Sequence, residues 1–321
     1  MIMDFLDFEK PIVELEKQID DLRHNLSEEH VDVEIDDEIR RLEQKCEKLT
    51  KKIFNNLSEW QIAQLARHPL RPKSLEVIKS ISEDFQELHG DRMYADDSSI
   101  VTGIGKVKNL TVMFIAQEKG VSTKEKMHRN FGMPKPEGYR KAMRIMKLAE
   151  KFSIPIITII DTPGAYPGIG AEERGQSEAI ARNLFTLASL RVPIINLVIG
   201  EGGSGGALAI GMGDELMMLQ YAIYSVISPE ACSTILWRNP DETEAAADAM
   251  GISSLRLRQL GLVDIIIEEP LGGFHKNPKE TFVQIRDHLT ESLATLKNKN
   301  IDDLIFDRRK RFKSIGQFNE I

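Results

Sequence analysis

The sequence predicts an α/β fold with parallel strands, and three observations carry that prediction. First, the apolar run Val192 to Ile199 leads into Glu201-Gly202-Gly203-Ser204-Gly205-Gly206-Ala207-Leu208-Ala209-Ile210-Gly211. A buried strand that ends in a glycine-rich turn and opens a helix presents backbone N–H groups to a negative charge. Four glycines in five residues, Gly202 to Gly206, let the backbone approach that charge closely. Second, Ile154-Pro155-Ile156-Ile157-Thr158-Ile159-Ile160 repeats the pattern. It ends in Asp161-Thr162-Pro163-Gly164-Ala165-Tyr166-Pro167-Gly168-Ile169-Gly170, before the acidic helix opening Ala171-Glu172-Glu173. Third, Gln176 to Leu190 places Ile180, Leu184, Leu187 and Leu190 at helical spacing between the two turns. Strand, turn, helix, strand, turn, helix is a crossover: two parallel strands in one sheet with both turns at the same edge. Two such turns at the C-terminal ends of neighbouring strands make a site.

The remaining elements run in chain order. Ile12, Leu15, Ile19, Leu22 and Leu26, then Ile39, Leu42, Cys46, Leu49 and Ile53, recur at spacings of three and four on either side of the polar stretch Ser27 to Asp37. They predict a helical hairpin that either supports the core from the surface or serves as a dimerisation or docking arm. His68-Pro69 and Arg71-Pro72 disfavour helix and mark a linker. Ser74 to Leu88 reads as a helix on Leu75, Ile78, Phe85 and Leu88, closed by a glycine cap at His89-Gly90. Ile100 to Val107 and Leu110 to Gln117 read as a strand pair around Lys108-Asn109. Glu118 to Pro136 collects Lys119, Lys124, Lys126, Arg129 and Lys135 among turn formers, and Glu137 to Phe152 reads as a helix. Downstream, Glu215 to Leu219, Tyr224 to Ile227 and Val263 to Ile267 are short strands. Ser228-Pro229-Glu230 opens a helix with a capping residue followed by proline. Residues 241 to 260 form two more helices, and Asn277 to Leu296 is a closing one. The basic Arg308-Arg309-Lys310-Arg311 reads as a solvated tail.

Composition narrows the function classes. Over 321 residues, 29% charged and 41% hydrophobic content is that of an ordinary soluble globular protein. A net charge of −8 argues against nucleic acid as the main partner. Cys46 and Cys232 stand far apart, so they build neither a disulfide framework nor a zinc site. Neither a signal peptide nor an apolar run of membrane-spanning length is evident, and a cytoplasmic chain is expected.

Several chemistries compete for the glycine turn. Gly202-Gly203-Ser204-Gly205-Gly206 matches G-x-S-x-G, with Asp264 and His275 following in the order a serine hydrolase uses. No His-Gly-Gly-Gly supplies a second oxyanion donor, and glycine at both variable positions makes the match weak. Neither G-x-x-x-x-G-K-[ST] nor a strand-borne G-x-G-x-x-G occurs, which leaves nucleotide binding unsupported. Stabilisation of an oxyanion by backbone N–H groups needs no acid or base, and one such donor is typically worth ~3 kcal/mol. Tight strand–helix packing is the structural alternative for the same glycines.

Seven runs of sequence together resemble one family. They are Trp60 to Arg67, Arg129 to Pro134, Pro136 to Ala142, Asp161 to Gly168, Ala171 to Glu178, Glu201 to Gly211 and Tyr224 to Glu230. In this order they resemble the alpha subunit of the bacterial acetyl-coenzyme A carboxylase carboxyltransferase, from about Phe5 to the last helix. The resemblance implies a crotonase-like spiral of ββα units behind the N-terminal helical hairpin. The implied divisions are 1–68 for the hairpin arm, 69–300 for the carboxyltransferase domain and 301–321 for the tail. It implies transfer of the carboxyl group of carboxybiotin, carried on a biotin carboxyl carrier protein, to acetyl-CoA to give malonyl-CoA, the first committed step of fatty acid biosynthesis.

The same resemblance implies partners and residue roles. The expected partners are a zinc-ribbon-bearing beta subunit, in an alpha2beta2 arrangement, and biotin carboxylase in the wider complex. Neither a metal in this chain nor a membrane is expected. Gly205 and Gly206 would bind the biotin carbonyl oxygen. Because both turns end parallel strands joined by one crossover, Gly164, Ala165, Tyr166 and Gly168 are expected beside them as a wall of the carboxybiotin pocket, with Gly202, Gly203, Ser204 and Ala207 lining the rest. The basic segment Lys119 to Lys135 is either a seat for the CoA phosphates or a solvated loop.

Overall fold

A computed structural model describes residues 5–26 and 33–316. Helices α1 (Lys10–Leu26) and α2 (Val33–Phe54) form the hairpin, packed on each other along the expected seam. Their connection, 27–32, lies outside the described residues, and helix resumes before the expected polar stretch has ended. The hairpin is docked on the body. Ile12 and Phe54 join Leu65 and Tyr221 in one apolar cluster, with the Phe54 and Tyr221 rings edge to face at 5.7 Å.

α3 (Glu59–Ala66) starts at Ser58, whose side chain and that of Gln61 cap each other's backbone N–H groups. The expected linker after it is instead a buried connector. His68, Arg71 and Lys73 are each at most 8% exposed, and α4 (Ser74–Ile81) comes next. The helix expected to run to Leu88 stops at Ile81. Glu83–Glu87 is strand β1, paired antiparallel to β2 (Ile100–Val107) with a bulge between Glu83 and Gln86. Phe85 lies over Gly103, where any Cβ would collide with its ring, and meets Phe114 edge to face at 6.0 Å. Its apolar spacing therefore serves a strand rather than a helix face.

β2 and β3 (Leu110–Gln117) form the expected antiparallel pair. Two helices, α5 (Thr123–His128) and α6 (Pro136–Lys151), lead to β4 (Ile156–Thr162). Next come α7 (Ile169–Glu173), α8 (Gln176–Leu187), β5 (Ile194–Gly203) and α9 (Ser204–Leu208). β6 (Glu215–Leu219), β7 (Ile223–Ser225), α10 (Pro229–Leu236), α11 (Thr243–Met250) and α12 (Ser254–Gln259) precede β8 (Ile265–Ile267). α13 (Pro278–Lys297) and α14 (Ile301–Lys313) close the described chain.

The strands form one mixed sheet in the order β1-β2-β3-β4-β5-β6-β8, and β7 takes over from β6 alongside the last residues of β5. From β3 onward all pairings are parallel. The carboxyl ends of β3, β4 and β5 therefore emerge at one edge, as the crossover argument requires. β4 and β5 are buried along their whole length, which accounts for their continuous β-branched runs.

The basic tail is a correction. It is a helix, and Arg308 is 1% exposed. Its guanidinium binds both Asp214 carboxylate oxygens at 2.8 Å and the carbonyls of Leu187, Leu190 and Val192. Asp214 in turn accepts from the Ile194 N–H at the start of β5. Among the described residues no helix is long and apolar enough to cross a membrane.

Candidate active site

The first turn leaves β4 at Thr162, whose hydroxyl donates to the Gly164 carbonyl and accepts from the Gly164 N–H. The turn is held from outside as well. Tyr166 donates its N–H to the Pro134 carbonyl, and the Gln176 side chain donates to the carbonyls of Pro134 and Tyr166. The Tyr166 ring covers Gly168 and has the Lys135 ammonium 5.2 Å from its centre. Fixing a turn this way removes the cost of ordering it around a ligand.

The second turn is shorter than the sequence suggests. Glu201, Gly202 and Gly203 still belong to β5, and the helix already begins at Ser204, in a left-handed conformation with φ 53°. The glycines divide by role. A Cβ on Gly202 would run into the Tyr224 ring, and one on Gly203 into the Pro163 carbonyl. On Gly206 it would lie 2.5 Å from the Gly164 carbonyl carbon and 2.7 Å from the Ala165 nitrogen. These three glycines permit close packing, Gly203 and Gly206 of one turn on the other and Gly202 of β5 on the Tyr224 ring. Gly205 differs: a Cβ there would meet only Ile180 Cδ1, at an ordinary 3.7 Å. Ser204 is exposed and Gly205 partly so, whereas Gly206 and Ala207 are buried.

The two turns thus bring Gly164, Ala165, Gly203 and Gly206 together, while Gly202 faces Tyr224. The Gly205 and Gly206 N–H groups fall in the first turn of α9, where no carbonyl of the helix itself can accept them. The Gly206 carbonyl accepts from the side chain of Gln117, the last residue of β3, at 2.7 Å. Gln117 is completely buried, and the sequence pattern showed it only as the end of a strand.

Beneath the turns lies a charged network that pattern reading missed. Lys119 Nζ is 2.8 Å from Asp161 Oδ1 and 2.7 Å from Glu201 Oε2. Arg67 pairs with Glu201 and, at 2.5 Å, with Glu230. Burial alone would raise the Glu201 carboxyl, but the charges of Lys119 and Arg67 outweigh it and hold it at about 2. Burial likewise works against charge on Lys119, and its two carboxylates reverse the effect and raise it. Lys119 is therefore committed to this network and is not a solvated cation of the 119–135 segment. Lys124 remains exposed there.

The hydrolase reading fails on geometry. Asp264 accepts from the Leu216 N–H and pairs with Arg311, and Leu216 lies beside Asn196 in the sheet. Ser204, the first residue past β5, lies eight residues beyond Asn196, up to roughly 26 Å at the rise of a strand. His275 is stacked on His68 at 3.9 Å between ring centres, and both rings face Glu9. Glu9, His68 and His275 are grouped closely enough to suggest a metal site. However, near-parallel rings 14° apart do not aim their lone pairs at one ion. The Leu70 N–H also points at His68 Nδ1, which places the ring proton on Nε2, facing Glu9. Glu9, which burial would raise and the histidines lower, sits at about 2 and pins the N-terminal segment to the body.

Comparison with known proteins places this geometry. A family profile described as acetyl co-enzyme A carboxylase carboxyltransferase-like matches residues 5–316. A relative from Hydrogenovibrio crunogenus, named acetyl-coenzyme A carboxylase carboxyl transferase subunit alpha, is 56% identical over 99% of each chain. One of the same name from Thioalkalivibrio sulfidiphilus is 56% identical over 99% of each. Among solved structures, the transcarboxylase 12S hexamer core aligns with TM-score 0.56 at 21% identity, covering 70% of this chain and 42% of that one. A Pseudomonas malonate decarboxylase hetero-tetramer aligns with TM-score 0.56 at 20% identity, covering 68% and 88%. The fold is the crotonase-like α/β fold of carboxyltransferases, and the chain belongs to the acetyl-coenzyme A carboxylase carboxyltransferase-like family.

Proposed function

We propose that this chain is the alpha subunit of an acetyl-CoA carboxylase carboxyltransferase. It would act with a zinc-ribbon beta subunit on carboxybiotin borne by a biotin carboxyl carrier protein, in an alpha2beta2 core that works with biotin carboxylase. Its setting would be the cytoplasm. The hairpin arm at 1–68 would be distinct from the carboxyltransferase body at 69–300. One observation carries the site assignment. In a chain matched over 99% of its length by carboxyl transferase alpha subunits, Gly205 is the glycine of the second turn where a Cβ would meet only a side-chain methyl, Ile180 Cδ1.

A ureido ring would approach the first-turn amides of α9 from the Gly205 side, where no backbone atom stands against a Cβ. Carboxybiotin, when bound, would supply the carboxyl group, its N–carboxyl bond being exchanged for a bond to the acetyl methyl carbon, which gives up a proton. This chain's part is electrostatic: the Gly205 and Gly206 N–H groups hold the charge on the ureido oxygen, with Gln117 fixing Gly206 from behind. A donor of this kind is worth ~3 kcal/mol in the transition state. The pocket would be walled by Gly164, Ala165, Tyr166 and Gly168 on one side and by Gly202, Gly203, Ser204 and Ala207 on the other. Exposed apolar side chains border the turns, with Ile169 79% exposed and Val226 79%. They suit the edge of a site completed by another subunit.

The test is co-expression with the beta partner and assay of biotin-dependent malonyl-CoA decarboxylation, beside each chain alone. Activity is expected only in the mixture. Full transfer by this chain alone would overturn the shared site, and an inactive mixture would overturn the function.

A further inference from the structure

The carboxyl end of β5 does not run in step with β4. Ile160 pairs with Val198 and Thr162 with Gly202, so the single residue Asp161 faces three: Ile199, Gly200 and Glu201. Such a bulge bends a strand and re-aims the residues beyond it, which here form the second glycine turn. The backbone groups freed by the bulge are taken up by buried side chains. Asp161 Oδ1 accepts from the Glu201 N–H at 3.1 Å, and Arg71 Nε donates to the Ile199 carbonyl at 2.7 Å. Gly200 leaves room for Asp161, whose Oδ1 would be 2.5 Å from any Cβ there. Arg71 is itself gripped by Glu269 through two bonds of 2.9 and 2.5 Å.

Asp161 and Glu201 place two carboxylates on one bulge, and they repel unless a cation stands between them. Lys119 is that cation, and its side chain is only 14% exposed. It also touches the next layer. Gly132 lies against the Lys119 stem, and Pro134, two residues on, receives the Tyr166 N–H of the first turn. One side chain thus connects the root of the second turn, through its ammonium, to the loop that holds the first, through its stem.

We propose that Lys119 is a positioning residue for carboxyl transfer. By closing the β5 bulge on Asp161, it sets the direction in which Gly205 and Gly206 present their N–H groups. The proposal rests on the reading of those turns as the site. Lys119→Met keeps most of the length of the side chain and removes the charge, leaving Asp161 without its ion-pair partner. A misplacement of about 1 Å at a reacting centre can cost on the order of a hundredfold in rate.

The experiment uses the complex with the beta partner. For Lys119→Met, turnover is expected to fall about tenfold or more while KM for malonyl-CoA changes less than about threefold, the split that marks an interaction specific to the transition state. Amide exchange should accelerate in 161–168 and 199–206 and stay unchanged in the β2–β3 pair. Adding Asp161→Asn should restore part of the turnover, because the Asn side-chain oxygen still accepts from Glu201 and the uncompensated charge is gone. If Lys119→Met does not fold, Asp161→Asn alone serves, with severalfold lower turnover and faster exchange at 199–206 expected. Normal turnover with unchanged exchange at 199–206, in whichever variant is measured, overturns the proposal. So does exchange that rises equally along the whole chain. An inactive wild-type complex would instead refute the underlying reading, whatever the exchange data show.

Discussion

Gly206 is pressed against Gly164: a Cβ on Gly206 would lie 2.5 Å from the Gly164 carbonyl carbon. The two glycine turns are therefore in backbone contact. A substitution at Gly206 acts first on packing and only through packing on chemistry. Gly206→Ala should cost about 1–3 kcal/mol as an overpacking change and lower activity with it. Gly205→Ala meets only Ile180 at 3.7 Å, so its stability should stay within ~1 kcal/mol of wild type. Its transfer rate should nevertheless fall, because the methyl group crowds the approach to the amides. Melting temperatures and decarboxylation rates measured side by side separate the two effects. Wild-type transfer in Gly205→Ala would remove Gly205 from the site.

Ser204 stands at φ 53°, a left-handed conformation that costs a non-glycine residue roughly 1–2 kcal/mol. The histidine that a serine hydrolase order would assign to it, His275, is engaged with Glu9 and His68. Ser204→Gly should relieve strain and leave the melting temperature level or higher, with turnover close to wild type. Ser204→Ala should be similarly mild, and a fluorophosphonate should leave the protein unlabelled. Labelling at Ser204 would bring back the hydrolase reading.

What could be read in the sequence was whatever depends on local pattern. The crossover from β4 to β5 and the edge shared by the two turns came from periodicity and glycine placement alone. What could not be read depends on partners far away in the chain. Phe85 has helical spacing relative to Ile78, yet it belongs to a strand because it covers Gly103. Arg308 lies among four basic residues, and only Asp214, ninety-four positions away, makes it a core residue. The glycines of 202–206 were legible as a group but not by role, because a missing Cβ reveals its purpose only through what stands opposite it. Lys119 looked like one more surface cation until Asp161 and Glu201 closed around it.

The burial of Arg308 gives a direct test. Lys310 is its exposed neighbour on α14. Arg308→Met leaves Asp214 and the carbonyls of Leu187, Leu190 and Val192 without their donor, a loss of about 3–5 kcal/mol for a broken buried pair. Lys310→Ala should stay within about 0.5 kcal/mol, as surface changes do. Urea midpoints of the two variants decide the matter. Equal, small effects would mean that the tail is dispensable after all.

Glu201 makes the stability of the network depend on pH. Its folded value of about 2 lies below the ordinary 4.5. The ionised carboxylate therefore contributes stability that is complete above pH 4.5 and disappears as the pH falls through about 2. The difference corresponds to roughly 3 kcal/mol. Glu201→Gln cannot ionise, so it lacks this contribution at every pH. Glu9 and Asp96, also held near 2, titrate in both proteins and cancel in the comparison. Urea denaturation from neutral pH down to about pH 3 should show the variant well below wild type at first. The gap should then narrow steadily below pH 4.5, because the unfolded wild-type chain takes up a proton at Glu201 there while the folded protein keeps it ionised. Two curves that stay parallel across this range would show that Glu201 titrates at its ordinary value, and Lys119 and Arg67 would then not be holding it as the geometry requires.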